Sequence, residues 1–155
     1  MVVVSPDIGG VRMARAYANL LESPLAIVDK RREDATHTKV MNIIGSVQGK
    51  NVVIVDDLVS TAGSLVEAVK ALKDGGALEI SAAIVHPVLV GPAIERIGSS
   101  LLTELIVTNS IPLGAGKQNK KIRQLSVAPL LADAILRIHK NESVSSLFSQ
   151  VRVEA

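Results

Sequence analysis

The chain has 155 residues, a formal net charge of +2 and no cysteine, and these numbers exclude several classes of protein. Hydrophobic residues make up 48% and charged residues 21%, so we expect one folded domain over residues 1–155. Aromatic residues are only 1% and the net charge is small, so no nucleic-acid partner is expected. Without cysteine the chain has no disulfide framework, no thiolate nucleophile and no cysteine-based zinc site.

Membrane association is also not expected from the sequence. No apolar run reaches the roughly 18–20 residues that a membrane-spanning helix requires. Met1 precedes an apolar run, but no basic segment or cleavage site accompanies it, so we identify no signal peptide. The expectation is a soluble cytoplasmic protein.

The first third of the chain alternates between strand and helix patterns. We predict strands at residues 1–4, 25–28 and 40–47, a loop at 5–10 and a helix at 11–22. Residues 29–39 are charged or polar and show neither helical nor strand periodicity, which predicts a long mobile loop. Such loops inside compact domains often cover a functional site.

The stretch from Val52 to Ser64 is the most informative part of the sequence. Residues 52–55 are apolar and β-branched, which predicts a strand buried on both faces, and Asp56 and Asp57 stand where that strand is expected to end. A turn of small and hydroxyl residues then leads into a helix predicted at 65–73. This order favours an anion site, because the first N–H groups of a helix are unpaired and its positive dipole end attracts phosphate. The candidate phosphate-binding residues, called the phosphate loop below, are Ser60, Thr61, Ala62, Gly63 and Ser64.

The two carboxylates require a different partner from the phosphate, because they would repel it. Sugar hydroxyls or a cation carried by the ligand are the natural candidates. Taken alone, a pair of aspartates is also typical of a solvated turn, and a hydroxyl-rich turn of an ordinary helix N-cap. The loop is not a Walker A sequence, because no Gly-Lys-Ser/Thr is present.

The rest of the chain continues the alternation. We predict strands at 80–85, 105–108 and 125–127, helices at 93–97 and 130–139, and a short tail at 143–148. The predicted fold is α/β, a three-layer, mostly parallel sheet with helices on both faces. In such sheets ligands bind at the carboxyl ends of the strands, so the segments 5–10, 30–39 and 56–64 are expected to share one rim.

Several motifs occur in a characteristic order, among them Ser-Pro-Asp-x-Gly-Gly, Asp-Lys-Arg-Arg, Val-Met-Asn-Ile-Ile-Gly, Val-Thr-Asn-Ser-Ile and Ser-Val-Ser-Ser-Leu-Phe. With the phosphate loop, they make residues 2–150 resemble the C-terminal half of ribose-phosphate pyrophosphokinase, or PRPP synthetase, in the type I phosphoribosyltransferase superfamily. The resemblance implies pyrophosphate transfer from Mg-ATP to O1 of ribose 5-phosphate, which gives phosphoribosyl pyrophosphate (PRPP) and AMP.

The resemblance also implies a role for each candidate residue. Asp56 and Asp57 would hold the ribose hydroxyls, and the phosphate loop would hold the 5-phosphate. Asp7 would help to bind the Mg²⁺ cofactor. Pyrophosphate would lie against Gly9 and Gly10, and Lys30 and Arg32 would be the catalytic cations that close over the ATP phosphates.

Some features depart from the family pattern. Ser60 stands where an aspartate is common, and residues 33–39 replace the usual Arg, Asn and Glu. The resemblance places a histidine metal ligand and much of the adenine pocket in an N-terminal half, which this chain lacks, so we expect the chain alone to be inactive. We also expect exposed apolar surface, and a homo-oligomer or association with homologous subunits. The alternatives are a non-catalytic regulatory subunit that binds sugar phosphate or a homologous subunit, and, ranked lower, a phosphoribosyltransferase that consumes PRPP.

Overall fold

The computed structural model describes residues 1–31 and 40–149. Within these ranges the strands are β1 (Val2–Ser5), β2 (Leu25–Arg31), β3 (Val40–Ile44), β4 (Val52–Val59), β5 (Ile80–Pro87), β6 (Glu104–Thr108) and β7 (Ile122–Leu125). The helices are α1 (Val11–Leu20), α2 (Gly63–Asp74), α3 (Ala93–Ser99), α4 (Ala128–His139) and α5 (Ser146–Ser149), and Ala115–Lys117 form one 3-10 turn. Apart from the 3-10 turn and α5, the order of elements is the predicted one.

The strands form a single sheet in the order β3-β2-β1-β4-β5-β6-β7. Every neighbouring pair is parallel except β2 and β3, which are antiparallel. In the centre of the sheet, Val4 pairs with Ala26 on one side and with Ile54 on the other, so these three residues share one level. The predicted α/β fold with a mostly parallel sheet is confirmed.

Helices cover both faces of this sheet because the central strands are apolar on both. On one face, Val52 and Ile54 join a large core with Leu65, Ala68 and Leu72 of α2, whose spacing of three and four residues keeps them on one side of the helix. On the other face, Val55 packs in a smaller core that includes α1 and consists of Val3, Ala14, Ala18 and Val55. The alternation of side chains along β4 therefore decides which helix each residue meets.

Two strands end three or more residues later than the sequence predicts. β2 continues through Lys30 because it pairs with β3, where Asp29 is opposite Asn42 and Lys30 is opposite Met41. β4 continues through Asp56 because that residue pairs with Ile84 of β5. Lys30, Asp56 and Asp57 therefore lie within strands rather than in the loops that follow them. The remainder of the predicted mobile loop, residues 32–39, lies outside the described residues.

Other predicted boundaries also differ: β3 ends at Ile44 rather than at residue 47, and the last strand begins at Ile122 rather than at residue 125. The last strand ends at Leu125 instead of spanning residues 125–127, so α4 begins at Ala128 with Pro129 in its first turn, where proline needs no N–H partner. Helix α1 ends at Leu20, two residues early, since Glu22 adopts a left-handed φ of 47° and Ser23 N–H bonds to the Ala18 carbonyl. None of the helices in residues 1–31 and 40–149 has the length and apolar character to cross a membrane.

Candidate functional site

The sequence-predicted binding residues lie at the carboxyl edge of the parallel strands. The phosphate loop follows β4, and the β1–α1 loop, residues 6–10, follows the adjacent strand β1. Because β1 and β4 are parallel neighbours, their carboxyl ends meet at one edge of the sheet. The expectation that these two loops share one rim therefore agrees with the geometry.

The phosphate loop opens on a cavity of about 230 Å³ at the N-terminus of α2. No side chain caps this helix, so the first N–H groups of α2 are left to whatever occupies the cavity. The cavity is lined by Asp7, Asp56, Leu58, Val59, the phosphate-loop residues Ser60, Thr61, Ala62, Gly63 and Ser64, and by Leu65 and Ile84. Unpaired helix N–H groups and hydroxyls around one small space are what a phosphate group requires.

The unusual backbone conformation in this loop lies at Ala62 and not at Gly63. Ala62 is buried and has φ 59° and ψ 10°, in the left-handed region, whereas Gly63 already belongs to α2. A non-glycine residue in this region costs on the order of 1–3 kcal/mol and persists only where its surroundings hold it. The residue type does not indicate this conformation, because alanine is not a residue that favours a left-handed turn.

Arg96 is a residue at this site that the sequence analysis missed. It projects from α3, and its Nη1 donates a hydrogen bond of 3.0 Å to the Thr61 carbonyl. A Cβ built on Gly63 would lie 3.3 Å from the same nitrogen, so the guanidinium stands directly against the phosphate loop. Arg96 and Thr61 are 35 positions apart in the sequence, so spacing along the chain does not predict this contact.

The segment before α3 also holds the loop in place. Leu89 N–H donates to the Val59 carbonyl and Val90 N–H to the Ser60 carbonyl, both at 3.1 Å. The phosphate loop is therefore fixed by its own strand, by this segment and by Arg96.

A second cavity, of about 310 Å³, lies between the β1–α1 loop and the end of β4. Its lining is Asp7, Gly9, Gly10, Met13, Asp56 and Asp57. Asp7 and Asp56 line both cavities, so the two spaces are adjacent. A ligand with a phosphate at one end could occupy both at once.

The β1–α1 loop is folded tightly around Asp7. The Ser5 hydroxyl donates to the Asp7 carbonyl at 2.7 Å, and the Gly10 N–H donates to Asp7 Oδ1 at 2.9 Å. A Cβ on Gly10 would approach the buried Ser5 Oγ to 2.9 Å, and one on Gly9 would approach Asp7 Oδ1 to 3.2 Å. Glycine is needed at residue 10 for this close approach, because real Cβ atoms do not come so near.

Asp56 has an unusual electrostatic environment. The pKa of its carboxyl is raised from 3.8 to about 6, chiefly by burial and also by the nearby charges of Asp57 and Asp7, against a lowering by the hydrogen bond from the Asp57 N–H. That N–H donates to Asp56 Oδ1 at 2.9 Å. Perturbed carboxyl groups inside a cavity are typical of binding and catalytic sites.

These carboxylates would suit a cation that shares its ligands with a substrate. Within residues 1–31 and 40–149, no three histidine or acidic side chains are grouped closely enough to hold a metal ion by themselves. Mg²⁺, however, is usually held by one or two carboxylates together with substrate phosphates and water. Asp7 and Asp56 beside an anion cavity fit that mode of binding.

The structure describes only one of the two residues predicted to be catalytic cations. Lys30 lies near the end of β2, and its Nζ forms an ion pair of 2.8 Å with Glu67 Oε2 of α2. Arg32 lies outside the described residues. The structure thus brings together Asp7, Gly9, Gly10, Asp56, Asp57 and the phosphate loop, and it places Lys30 beside α2.

Comparison with known proteins identifies what this chain is similar to. The family model described as the phosphoribosyl synthetase-associated domain matches residues 34–149. The chain is 51% identical over 149 residues to a ribose-phosphate pyrophosphokinase of Bacillus subtilis (strain 168), which covers 96% of this chain and 47% of the relative. It is 59% identical over 150 residues to that of Bordetella parapertussis (strain 12822 / ATCC BAA-587 / NCTC 13253), covering 96% of this chain and 48% of the relative.

Solved structures give the same result. The phosphoribosylpyrophosphate synthetase from Mycobacterium smegmatis has a TM-score of 0.84 and 38% identity, covering 91% of this chain and 45% of that one. Orotate phosphoribosyltransferase from Aeropyrum pernix, with a TM-score of 0.53 and 21% identity over 81% of this chain and 58% of that one, shares the fold alone.

The extent of these matches corrects one expectation. The chain spans about half the length of the curated relatives it matches. The matches show that the chain corresponds to a half-length region of a synthetase. They do not support the expectation that this region is the C-terminal half, so we do not keep that assignment.

Proposed function

The chain belongs to the phosphoribosyl synthetase family, and from this premise we propose that it forms the sugar-phosphate site of a ribose-phosphate pyrophosphokinase. The observation that carries the proposal is the pair of adjacent cavities that share Asp7 and Asp56. One cavity has the N–H groups and hydroxyls that a 5-phosphate needs, and the other has the carboxylates that ribose hydroxyls and a cation need. Ribose 5-phosphate carries a phosphate at one end and hydroxyl groups on the adjoining ring, which matches the order of the two cavities.

Each residue at the site has a physical role in this proposal. The phosphate loop holds the 5-phosphate at the N-terminus of α2, and Asp56 and Asp57 accept hydrogen bonds from the ribose hydroxyls. Gly9 and Gly10 let the backbone of the β1–α1 loop approach the pyrophosphate of the product. Fixing the sugar in this way supplies much of the rate, because phosphoryl transfer depends mainly on positioning and charge neutralisation.

The reaction is the attack of the ribose O1 on the β-phosphorus of ATP. A bond from O1 to that phosphorus forms, and the bond from the same phosphorus to the oxygen it shares with the α-phosphate breaks. AMP leaves with that oxygen, and the O1 proton is released. Lys30 and Arg32 would neutralise negative charge on the transferred phosphates. Asp7, with Asp56 beside it, would hold Mg²⁺, which when bound neutralises phosphate charge.

We also propose that copies of the chain associate with one another or with homologous subunits. Helix α4 has no buried residue, and its exposed aliphatic side chains are Leu130, Leu131, Ile135, Leu136 and Ile138. Leu131, Ile135 and Ile138 lie on one side of the helix at its spacing of 3.6 residues per turn, and an exposed apolar side of this kind is typical of association surfaces.

The sugar-binding role is tested by replacing both carboxylates at the end of β4. We expect the variant Asp56→Asn/Asp57→Asn to bind ribose 5-phosphate and PRPP more weakly than the wild type, most clearly with Mg²⁺ present. Each lost charged hydrogen bond should cost about 1.5–3 kcal/mol of binding free energy. Isothermal calorimetry measures the affinity, and Asp74→Asn at the far end of α2 is the matched control. Unchanged affinity in the double variant would exclude the ribose role.

The pyrophosphate-transfer step has its own test. Purified chain, Mg-ATP and ribose 5-phosphate are incubated together, and AMP and PRPP are followed. We expect sugar-phosphate binding with AMP formation at background, since the chain spans about half the length of its relatives. Sustained turnover would show that these 155 residues contain the whole active site.

A further inference from the structure

One ion pair joins the predicted catalytic lysine to the helix that forms the phosphate site. Lys30 Nζ and Glu67 Oε2 are 2.8 Å apart, across 37 residues of sequence. Both side chains are partly exposed, Lys30 at 28% and Glu67 at 40%. The pair is therefore reachable by solvent and by a ligand, and it can exchange partners at low cost.

The position of this pair along the sheet brings it level with the phosphate site. Lys30 lies four residues beyond Ala26, and Leu58 lies four residues beyond Ile54, with Ala26 and Ile54 on one level of the sheet. Lys30 is thus level with Leu58, which lines the phosphate-loop cavity. Residue alternation also places Lys30 on the face of the sheet that carries Ala26, which is the face covered by α2.

Glu67 lies on α2 just beyond the residues that line this cavity, and it lines a separate cavity of about 640 Å³. It follows Ser64 by three residues, which is about 4.5 Å along the axis of α2. The residue that holds the Lys30 ammonium is thus about one helical turn along α2 from the N–H groups that would bind a phosphate. A cation at a helix N-terminus is disfavoured by the dipole, and the carboxylate of Glu67 offsets that repulsion.

We propose that Glu67 is a positioning residue that holds Lys30 beside the phosphate loop and competes with an incoming anionic ligand for its ammonium group. This inference rests on the proposed function, because it takes Lys30 to be the cation that meets the transferred phosphates. The ligand class is a polyphosphate, which carries more charge than the 5-phosphate that the loop already holds. Lysine suits such an exchange, because its ammonium is a compact charge on a flexible four-carbon stem.

The magnitudes support a pair that forms and releases. Partly exposed ion pairs contribute roughly 0–1 kcal/mol, so breaking this one requires little free energy. Hydrogen bonds from an ammonium to phosphate oxygens are charge-assisted and stronger than neutral ones. The ion pair therefore holds Lys30 near the site before the ligand arrives. It is weak enough that the Lys30 ammonium can leave Glu67 and bind the ligand.

The test is a double-mutant cycle with inorganic pyrophosphate as the probe, measured by calorimetry in buffer without magnesium. Glu67→Gln keeps the shape of the side chain and removes its charge, so pyrophosphate should bind up to about fivefold more tightly. Lys30→Ala should weaken binding. In the Lys30→Ala background, Glu67→Gln should give a clearly smaller gain, because only direct repulsion between Glu67 and the anion is then removed.

Two further variants separate positioning from general charge effects. Glu67→Asp keeps the charge and should bind pyrophosphate as the wild type does. Glu79→Gln, at an exposed position just before β5, makes the same charge change at the opposite edge of the sheet and should leave binding unchanged. Thermal unfolding of each variant checks that the fold is retained.

The possible results distinguish this inference from the proposed function. Equal gains from Glu67→Gln with and without Lys30 would show that Glu67 only repels the anion, and would overturn the positioning role while leaving the sugar-phosphate site intact. A wild-type chain that binds neither ribose 5-phosphate nor pyrophosphate would overturn both.

Discussion

At the scale of single residues, Asp56 is where function and stability oppose each other. Its carboxyl has a pKa of about 6 in the folded chain against an ordinary value of 3.8, chiefly because of burial. The folded state therefore binds this proton more tightly than the unfolded state does. Between these two pH values the stability due to Asp56 falls as the pH rises, and above pH 6 the full cost of the buried charge is present.

Asp56→Asn is therefore expected to stabilise the fold in a pH-dependent way. The amide oxygen can still accept the Asp57 N–H, but no charge is buried. The variant should unfold at higher urea concentration than the wild type well above pH 6, and the difference should shrink as the pH approaches 3.8. Urea titrations across this range measure the effect.

Asp74→Asn, at an exposed position, is the matched control and should show no such pH-dependent difference. If the urea midpoints of Asp56→Asn and the wild type differ by the same amount at every pH, burial does not perturb the pKa of the Asp56 carboxyl. Because the same residue is proposed to bind ribose, the stabilised variant should bind the sugar less well. Replacing a buried functional group that destabilises the fold commonly stabilises a protein and reduces its function.

At the scale of secondary-structure elements, the sequence predicted which elements form but not where two of the strands end. Continuous β-branched runs such as residues 52–55 identified buried strands, and the order of strands and helices identified a parallel sheet. The charge of residues 29–31 and the two aspartates at 56 and 57 both suggested that a strand had ended. The ladders to β3 and to β5 override those local signals, because each extra pairing satisfies backbone groups that would otherwise face partial burial.

The sequence likewise predicts only part of the candidate site. Contacts within one loop, such as the Asp7 carboxylate bonded to the Gly10 N–H, lie three residues apart and follow from local sequence. Contacts between elements, such as Arg96 to Thr61 and Lys30 to Glu67, join residues 35 and 37 positions apart. These could not be predicted from one sequence, because they depend on how α2, α3 and β2 pack.

The contact from α3 leads to a prediction about the phosphate loop. Arg96→Gln removes the guanidinium that bonds to the Thr61 carbonyl, so the loop should be held less firmly. Affinity for ribose 5-phosphate should fall about tenfold, since a hydrogen bond from a charged group is worth about 1.5–3 kcal/mol and this one is exposed. The melting temperature should change little, because Arg96 is on the surface.

The control for this prediction is Arg123→Gln. Arg123 is an exposed arginine paired with Glu104 at 2.8 Å on the edge strand β7, away from the phosphate loop. It should leave the affinity for ribose 5-phosphate unchanged. Equal affinities of Arg96→Gln and the wild type would show that β4 and the segment before α3 hold the loop without help from α3.

At the scale of the whole molecule, the described residues form a buried sheet and a twelve-residue helix, α4, that buries no side chain. Helices α1, α2 and α3 each bury side chains against the sheet, whereas α4 buries none. Arg137 forms an ion pair with Asp133 in the same helix, which partly neutralises these two charges. The apolar side of α4 is therefore the part of the described residues most suited to association.

We expect this surface to make the 155-residue chain self-associate, because a second copy presents the same aliphatic side chains and a two-fold contact buries both sets. Ile135 and Ile138 are 67% and 66% exposed, and burying each should contribute up to about 1.5–3 kcal/mol. Ile135→Lys/Ile138→Lys should therefore shift the chain to a monomer, measured by light scattering during size-exclusion chromatography over a range of concentrations. Leu101→Lys, a similar change at a site 59% exposed outside α4, should leave the assembly intact. A wild-type chain that stays monomeric at the highest concentration would show that α4 does not bind a second copy.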